Sequence, residues 1–446
     1  MKRTLLALGV LAALASPAHA ATKAKRPSIE ELSARIEALE ANAQALRQQA
    51  ADALAAAQAA QAALDEMKAQ QAAAPEATAE AAPAPSGNDA SSGNANAFNP
   101  AISIILNGSY THHSLDPNAY SRAGFPLVGE GAPSQQGISL GESEVSFAEN
   151  IDDKFYGQLT MSVDGEDQLG IEEAFIDTTS LPNGLSLRAG RFFSNIGYLN
   201  SHHAHTDNFF DRPLPYQAFL GNQYGDDGVQ LRWVAPTDTY LEIGGEVLRG
   251  ANFPAGGAGH GGVGTHTLFA HAGGDVGIEN SWLAGVSVLK SKVDGGEDGF
   301  SGDTTLYIAD GTWKWAPQGN FKDGGITLRG EYFVEHRDGD YVDPNAPGLP
   351  VAWNGVREGA YLEAVYRFNR TWNAGYRYDR LWGDHDLPLA TGFAPDRHSF
   401  MLTWMNSEFS LFRLQFSHDQ PNRRDTDNAL TLQYQVSLGA HGAHKF

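Results

Sequence analysis

A histidine-rich stretch between residues 195 and 216 carries the side chains best suited to coordination chemistry in this sequence. Its four candidate ligands are His202, His203, His205 and Asp207. Imidazole and carboxylate groups are ligands that Zn²⁺ accepts in proteins, and in an extended chain every second side chain points the same way. His203, His205 and Asp207 would then share one face, which makes Zn²⁺ the candidate metal. The alternative is a loop that packs its aromatic residues and binds no metal.

Other kinds of chemistry are weakly represented. The chain has no cysteine, which excludes disulfides, thiolate metal sites and thiol nucleophiles. Residues 223–228 and 294–299 are rich in Asp and Gly, but they lack the full ligand series of a calcium loop, so we interpret them as turns. The sequence shows no nucleophile elbow and no phosphate-binding glycine loop, so we expect neither an enzyme nor a required cofactor.

Length and composition narrow the class of protein further. The chain has 446 residues, of which 49 are glycine, and a formal net charge of −22. Nucleic acid is an unsuitable partner for an acidic chain without a basic stripe, because its binding proteins gain affinity from clustered Lys and Arg. After the N-terminal segment, the chain offers no run of roughly 18 apolar residues, which excludes a helical membrane span.

The first 97 residues predict three segments ahead of the main domain. Residues 1–20 have the basic start, apolar run and small-residue cleavage site of a secretory signal peptide. Residues 28–69 place apolar side chains at alternating steps of four and three residues, which predicts an α-helical coiled coil; a single alanine-rich helix is the alternative. Residues 70–97 are rich in Pro, Ser, Gly and Asn and predict a low-complexity linker.

From residue 98 the apolar period changes from helical to two, which is the period of a β-strand. In the segment 155–164, Phe155, Leu159 and Met161 share one face while Gln158 and Thr160 share the other. About sixteen such segments follow one another, each with the length of a barrel strand. They are centred near residues 106, 143, 159, 174, 188, 231, 244, 270, 286, 310, 330, 363, 376, 401, 413 and 436.

The connections between these segments alternate between long and short. Stretches such as 114–136 and 194–226 are long, turns such as 150–154 and 368–371 are short, and the weak exception is 165–168. Long loops at one rim and tight turns at the other predict an all-β transmembrane barrel of about 16 antiparallel strands over residues 98–446. Its expected location is a bacterial outer membrane. A soluble β-sandwich is the alternative, but its loops need not segregate in this way.

The inward phase of the predicted barrel carries charges of both signs. We expect the pore to be lined by Glu144, Arg188, Arg232, Glu242, Glu246, Arg329, Glu331, Glu335, Glu363, Arg367, Arg377, Asp379 and Arg413. A lumen lined by paired charges stays wet, whereas a filled barrel needs apolar side chains. The excess of carboxylates predicts that the pore concentrates cations. For any single charge, a structural ion pair in the wall is the alternative.

The layout resembles the proteobacterial outer-membrane porins that carry an N-terminal coiled coil, a group similar to the phosphate-selective and carbohydrate porins. The resemblance spans the signal peptide, coiled coil, linker and barrel ending in Phe446, and locally rests on 187–193, Gly197 and 211–214. In porins, the loop after such a strand folds inward as the constriction. The resemblance implies passive diffusion of small solutes or ions, a homotrimer in outer-membrane lipid and a coiled coil in the periplasm.

Two further functions stay open at this point. Residues 139–144 and 223–233 resemble stretches of outer-membrane receptors described as zinc-regulated and TonB-dependent, which implies zinc uptake through the histidine cluster. Such receptors carry a plug domain, whereas residues 21–97 predict only the coiled coil and linker. The other alternative is an envelope tether whose coiled coil contacts the cell wall or a periplasmic partner, with the basic residues 23–26 as a contact point.

Overall fold

The barrel domain of the computed structural model is a single closed sheet of antiparallel strands. The predicted signal peptide, coiled coil and linker, the connection 165–168 and Phe446 lie outside the described residues. The structure describes residues 100–163, 169–256, 262–344, 348–384, 388–389 and 391–439.

Sixteen strands follow one another in sequence order, and the second is interrupted. They are β1 (Ala101–His112), β2 in two segments (Gly137–Leu140 and Ser143–Asn150), β3 (Phe155–Val163), β4 (Leu169–Thr178), β5 (Leu185–Phe193), β6 (Gly225–Val234), β7 (Tyr240–Leu248), β8 (Thr265–Val276), β9 (Asn280–Val293), β10 (Phe300–Trp315), β11 (Gly325–Tyr341), β12 (Val351–Arg367), β13 (Trp372–Gly383), β14 (Asp396–Ser407), β15 (Ser410–Gln420) and β16 (Asp427–Gly439). Every predicted strand centre falls inside one of these strands, so the predicted barrel is confirmed.

Helical structure within the described residues is short. One α-helix, α1 (Leu214–Phe219), lies in the connection between β5 and β6. Single 3-10 turns occupy Pro117–Ala119, Pro182–Gly184, Leu199–Ser201, Ala204–Thr206 and Pro317–Gly319. Among the described residues, no helix combines the length and apolar character needed to traverse a bilayer.

The barrel closes through β1, which pairs with both β16 and β2. The stretch from Ser103 to His112 runs opposite the stretch from Gly439 back to Leu430, and β1 also pairs with each segment of β2. The remaining strands pair with their neighbours in sequence. A closed antiparallel sheet has no edge strand with unpaired backbone groups, which is what a lipid environment requires.

Burial along the strands is opposite to that of a soluble protein. In β15, Leu414 and Phe416 are 45% and 41% exposed, whereas the alternating Arg413 and Gln415 are 4% and 3% exposed. The outward side chains are therefore apolar, and the inward side chains are polar or charged. Because an apolar outer surface is stable in lipid rather than in water, this pattern indicates a transmembrane barrel.

Aromatic side chains form a row on the outer face of β13 to β16, at the end of the barrel that carries the short turns. Trp372 stacks on Trp404 with ring centroids 6.0 Å apart, Trp404 on Phe412 at 5.8 Å, and Phe412 on Tyr434 at 4.3 Å. Amphipathic aromatic rings gather where hydrocarbon meets lipid headgroups. The row therefore marks the membrane interface on the short-turn side.

Two neighbouring substitutions in β14 test which face of the barrel meets lipid. Leu402 is 40% exposed on the outer face, and Thr403 is 3% exposed on the inner face. Leu402→Arg should destabilise the barrel by roughly 1–3 kcal/mol, because arginine on the lipid face costs roughly 2–4 kcal/mol at the midplane and less toward the interface, which Trp404 marks two residues away. Thr403→Arg is the matched control and should cost less, because Thr403 borders a lumenal cavity. Urea unfolding in phospholipid vesicles measures both, and equal costs would contradict this orientation.

Candidate functional site

The third loop, residues 194–224 between β5 and β6, lies against the inner wall of the barrel. It forms hydrogen bonds with inward-facing side chains of β2, β4, β7, β9 and β11. Further bonds join it to side chains of β12, β13, β14, β15 and β16. The loop also contains α1, whose residues are all buried. The shape of the lumen is therefore set by this loop as well as by the strands.

The loop enters the lumen through a close approach that favours glycine. The backbone amide of Asn195 donates to Glu246 Oε1 at 2.9 Å, and the Ser194 hydroxyl donates to the same carboxylate. Gly197 follows with a φ of +63°, and a Cβ at this position would lie 2.5 Å from Glu331 Oε2. A larger residue would be strained and would push the loop away from the wall.

Glu331 of β11 anchors the loop on the far wall. Its carboxylate accepts hydrogen bonds from the hydroxyls of Tyr216 at 2.9 Å and Tyr361 at 2.7 Å, and from the amides of Tyr198 at 3.1 Å and Leu199 at 3.3 Å. All five residues are buried. Burial, together with the negative charge of Glu331, raises the pKa of Tyr216 well above its usual value, so the hydroxyl remains a donor.

An apolar core surrounds α1 inside the barrel. Phe219 packs edge-on against Phe125 of the first loop (residues 113–136) at 5.7 Å, and it stacks on Phe333 of β11 at 5.9 Å. The same cluster includes Phe192, Ile196, Leu214, Leu248, Leu289, Leu306, Ile308 and Leu381. This part of the lumen differs from the wet, charge-lined interior expected from the sequence, because the loops bring their own apolar side chains into it.

The charged residues that the sequence assigns to the pore lie on the inner face, and many of them form ion pairs. Such pairs join Arg188 with Asp177 at 2.8 Å, Arg232 with Glu242 at 3.8 Å, Arg329 with Glu363 at 3.0 Å, Arg357 with Glu335 at 2.6 Å and Arg377 with Asp379 at 3.0 Å. Arg413 instead donates to the backbone carbonyls of Asp207 at 2.6 Å and Phe209 at 3.2 Å. These contacts hold the wall and the third loop together.

Asp211 is a charged residue that joins the third loop to the wall, and it was not assigned to the pore from the sequence. Its carboxylate lies 3.1 Å from Arg377 and 2.5 Å from Arg397, which also pairs with Asp419 at 2.7 Å. Burial alone would raise the pKa of Asp211, but the two guanidinium groups outweigh it and lower the pKa to about 2. Strand alternation could have placed Arg397 and Asp419 inward, whereas a loop residue such as Asp211 carries no such signal.

Of the four candidate metal ligands, His203 and His205 lie close together in the structure, whereas His202 and Asp207 lie elsewhere. His205 Nδ1 lies 2.8 Å from Glu144 Oε1, and His203 Nδ1 lies 3.1 Å from Glu144 Oε2. The two imidazole rings are stacked, with centroids 5.6 Å apart. Burial alone would lower the pKa of His203, but the three neighbouring carboxylates of Glu144, Glu172 and Glu173 raise it well above its usual value.

His202 and Asp207 have other partners. His202 Nδ1 lies 2.7 Å from the carbonyl oxygen of Tyr198, and its ring stacks on the Tyr198 ring at 4.6 Å. Asp207 lies 2.7 Å from Nε of Arg212. The alternation that would place Asp207 beside His203 and His205 does not occur here, because Ala204–Thr206 forms a 3-10 turn rather than extended chain.

Two irregularities in neighbouring strands bring further carboxylates to His203. Glu142 lies in the interruption of β2. β4 has a bulge at Glu172, where its register against β3 shifts by one residue, and such a bulge re-aims side chains. As a result Glu172 and Glu173 both reach His203, at 3.2 Å and 3.0 Å. Strict alternation predicts only one of these two glutamates on the inner face, so the sequence pattern could not reveal the pair.

Two cavities flank the third loop at the short-turn end of the lumen, and the loop residues Tyr198 and His202 border both. The larger, about 890 Å³ in volume, is lined by the cations Lys314, Lys322, Arg329, Arg367, Arg370 and Arg413 but by only two carboxylates, Asp207 and Glu408. The other, about 450 Å³, includes Glu242, His271 and Asp275 in its lining. On the long-loop side, a cavity beside Asp211 and Arg397 measures only about 60 Å³.

Comparison with known proteins agrees on the fold. No family model matches the chain. An uncharacterized protein from Aquifex aeolicus is 29% identical over 391 residues, which cover 78% of this chain and 80% of that protein. The anion-selective porin from Comamonas acidovorans has a TM-score of 0.50 at 11% identity, over 76% of this chain and 99% of its own. Salmonella typhi OmpF, in complex with daunomycin, has a TM-score of 0.50 at 10% identity, over 76% and 97%. This likeness establishes a porin-type barrel fold.

The contacts of Glu331 predict how the third loop responds to its loss. Glu331→Ala removes the acceptor of two hydroxyls and two amides, and each buried donor left unpaired costs roughly 1–3 kcal/mol. The loop should detach from β11 and become sensitive to protease. Glu331→Gln, which retains an acceptor oxygen, is the matched control and should protect the loop better. Limited proteolysis in detergent, read by mass spectrometry, measures cleavage within 194–224, and unchanged cleavage in Glu331→Ala would show that other contacts hold the loop.

Proposed function

We propose that the protein is a porin-type channel of the outer membrane through which small solutes or ions diffuse passively, with the third loop as its constriction. The observation that carries this proposal is the closed barrel with apolar side chains outside and charged side chains inside. Such a distribution is stable where lipid surrounds the barrel and its interior is polar. Solved structures that share this fold include outer-membrane porins, which supports the same role here.

The charges along the proposed path differ between the two ends. Exposed carboxylates predominate at the long-loop rim, whereas cations predominate in the large cavity at the short-turn end. The rim carries Asp116, Glu130, Asp294, Glu297, Asp303, Asp338, Asp340, Asp343 and Asp384 against Arg249, Lys292, Arg423 and Arg424. Fixed charges of one sign concentrate mobile ions of the opposite sign. We propose that the cation preference expected from the net charge acts at the long-loop mouth and that the large cavity favours anionic solutes.

Planar bilayer recording tests the channel itself. Purified protein should insert and raise the current in discrete steps of equal size, because each barrel adds one fixed pathway. Uptake of small neutral sugars by liposomes that contain the protein should accompany these steps. If folded protein inserts into the bilayer but produces neither current steps nor sugar uptake, the channel proposal is wrong.

Replacing cations that line the large cavity tests whether their positive charge makes the channel favour anions. Arg367→Gln and Lys322→Gln each remove one positive charge that lines the large cavity. A unit charge about 10 Å away in water changes the energies of a permeating cation and anion by ~0.4 kcal/mol each, in opposite directions. Each variant should therefore raise the ratio of cation to anion permeability roughly four-fold. The measurement is the reversal potential in a potassium chloride gradient.

Lys154→Gln provides the matched control for this measurement. Lys154 lies in an exposed short turn at the same end of the barrel, so its loss should leave the reversal potential unchanged. A shift toward anions in Arg367→Gln would show that the cavity does not set selectivity as proposed.

A trimeric assembly and a periplasmic contact through residues 28–69 stay predictions from the sequence.

A further inference from the structure

Four carboxylates and two imidazoles converge where the third loop meets β2 and β4. They are Glu142, Glu144, Glu172, Glu173, His203 and His205. The ligand atoms of Glu144, His203 and His205 lie within 4.8 Å of one another, and so do those of Glu142, Glu144 and Glu172. Because Glu144 belongs to both sets, the two sets adjoin each other. The strand interruption and the strand bulge both occur at this place, and together they supply Glu142 and Glu172.

The balance of charge within this cluster favours a bound cation. With all four carboxylates ionised and both imidazoles protonated, two negative charges remain uncompensated within the cluster. The side chains of Glu144, Glu173 and His205 are only 3%, 8% and 9% exposed. Buried charge without compensation is strongly unfavourable. A divalent ion among these groups would neutralise the excess.

Two groups of the cluster have contacts that suit metal ligands better than hydrogen-bond partners. Within the described part of the chain, Nδ1 of His203 has no hydrogen-bond partner, and neither buried oxygen of Glu172 accepts a hydrogen bond from an amide, an amine or a hydroxyl, its polar neighbour being the carboxyl of Glu142. Nevertheless, His203 Nδ1 lies 3.2 Å from Glu172 Oε2 and 3.1 Å from Glu144 Oε2. These atoms thus approach one another closely without hydrogen-bond geometry, as ligands around an ion do.

The other nitrogen of His203 is oriented by a carboxylate. His203 Nε2 lies 3.0 Å from Glu173 Oε2 within hydrogen-bond geometry. When a metal displaces the proton from Nδ1, the proton on Nε2 stays with Glu173 and the Nδ1 lone pair faces Glu144 and Glu172. Metal-binding histidines are commonly oriented in this way, with the second nitrogen donating to a carboxylate. Glu173 therefore acts as a positioning residue for His203.

We propose that Glu144, Glu172, His203 and His205 form a zinc site that ties the third loop to β2 and β4. Zn²⁺ takes four nitrogen or oxygen ligands at about 2.0–2.2 Å in a tetrahedron, which places neighbouring ligand atoms about 3.3–3.5 Å apart. His203 Nδ1 lies 3.1 Å from Glu144 Oε2 and 3.2 Å from Glu172 Oε2, and His205 Nδ1 lies 2.8 Å from Glu144 Oε1. Small side-chain rotations would have to bring these ligand atoms around one ion. This ligand set differs from that expected from the sequence, since Glu144 and Glu172 take the places of His202 and Asp207.

Calorimetry on the full chain tests the site. Protein folded in detergent is stripped with EDTA, dialysed and titrated with zinc chloride. Wild type should bind one zinc per chain, and X-ray absorption at the zinc edge should show four nitrogen or oxygen neighbours that include imidazole. Glu144→Gln/His205→Ala should bind at least about 100-fold more weakly, because two ligands are changed or lost.

His202→Gln is the control that separates the two ligand sets, and it should bind zinc as tightly as wild type because His202 contacts Tyr198 instead. Circular dichroism and heat-dependent gel mobility verify that each variant is folded. The proposal is overturned if wild type takes up no zinc, or if Glu144→Gln/His205→Ala keeps the wild-type affinity. Either result would mean that protons alone compensate the carboxylates.

The effect of zinc on transport rests on the proposed function and is measured separately. Zinc should reduce the current noise of single wild-type channels, since it restrains the third loop, and should leave Glu144→Gln/His205→Ala channels unchanged. Protein that binds zinc but conducts no ions would refute the channel and leave the metal site standing. Protein that conducts ions but binds no zinc would refute the metal site alone.

Discussion

Pairing of β1 with β16 is the constraint on which the other features of this structure depend. In lipid, an unpaired backbone N–H or C=O group costs several kcal/mol, so a sheet can span the membrane only if its first and last strands meet. Closure gives every strand one face toward lipid and one toward the lumen. The pleat of each strand alternates its side chains. Closure then directs the apolar set toward lipid and the charged set toward the lumen.

Closure also creates an interior that must be stabilised, and the third loop contributes to this in two ways. On one side, α1 presents apolar side chains to Phe125 and Phe333, so a buried apolar cluster fills part of the lumen. On the other side, wall residues such as Glu246 and Glu331 accept hydrogen bonds from the loop backbone. Apolar packing holds the loop in place, while the polar anchors determine which wall residues remain available to solutes.

The sequence was sufficient to predict the barrel because every strand repeats the same physical requirement. Each of the sixteen segments alternates, and long and short connections follow one another. A misplaced boundary at one strand therefore does not change the prediction for the other strands. The site was harder to predict because it depends on departures from that regularity. The bulge at Glu172 turns two adjacent glutamates inward, and no two-residue period can signal a bulge. Likewise, the pairing of Asp207 with Arg212 depends on the path of a loop. The histidines were recognised from their side-chain chemistry, but their partners required three-dimensional structure.

The opposite charges at the two ends of the lumen have an electrical consequence. A channel with a negative mouth and a positive inner chamber has two regions of opposite fixed charge in series, and the boundary between them is a junction. A voltage of one polarity drives mobile cations and anions toward the junction from both sides and fills it with carriers, whereas the reverse polarity depletes it. A wall with this arrangement would act as a rectifier, so the barrel would conduct unequally in the two directions even though none of its parts moves.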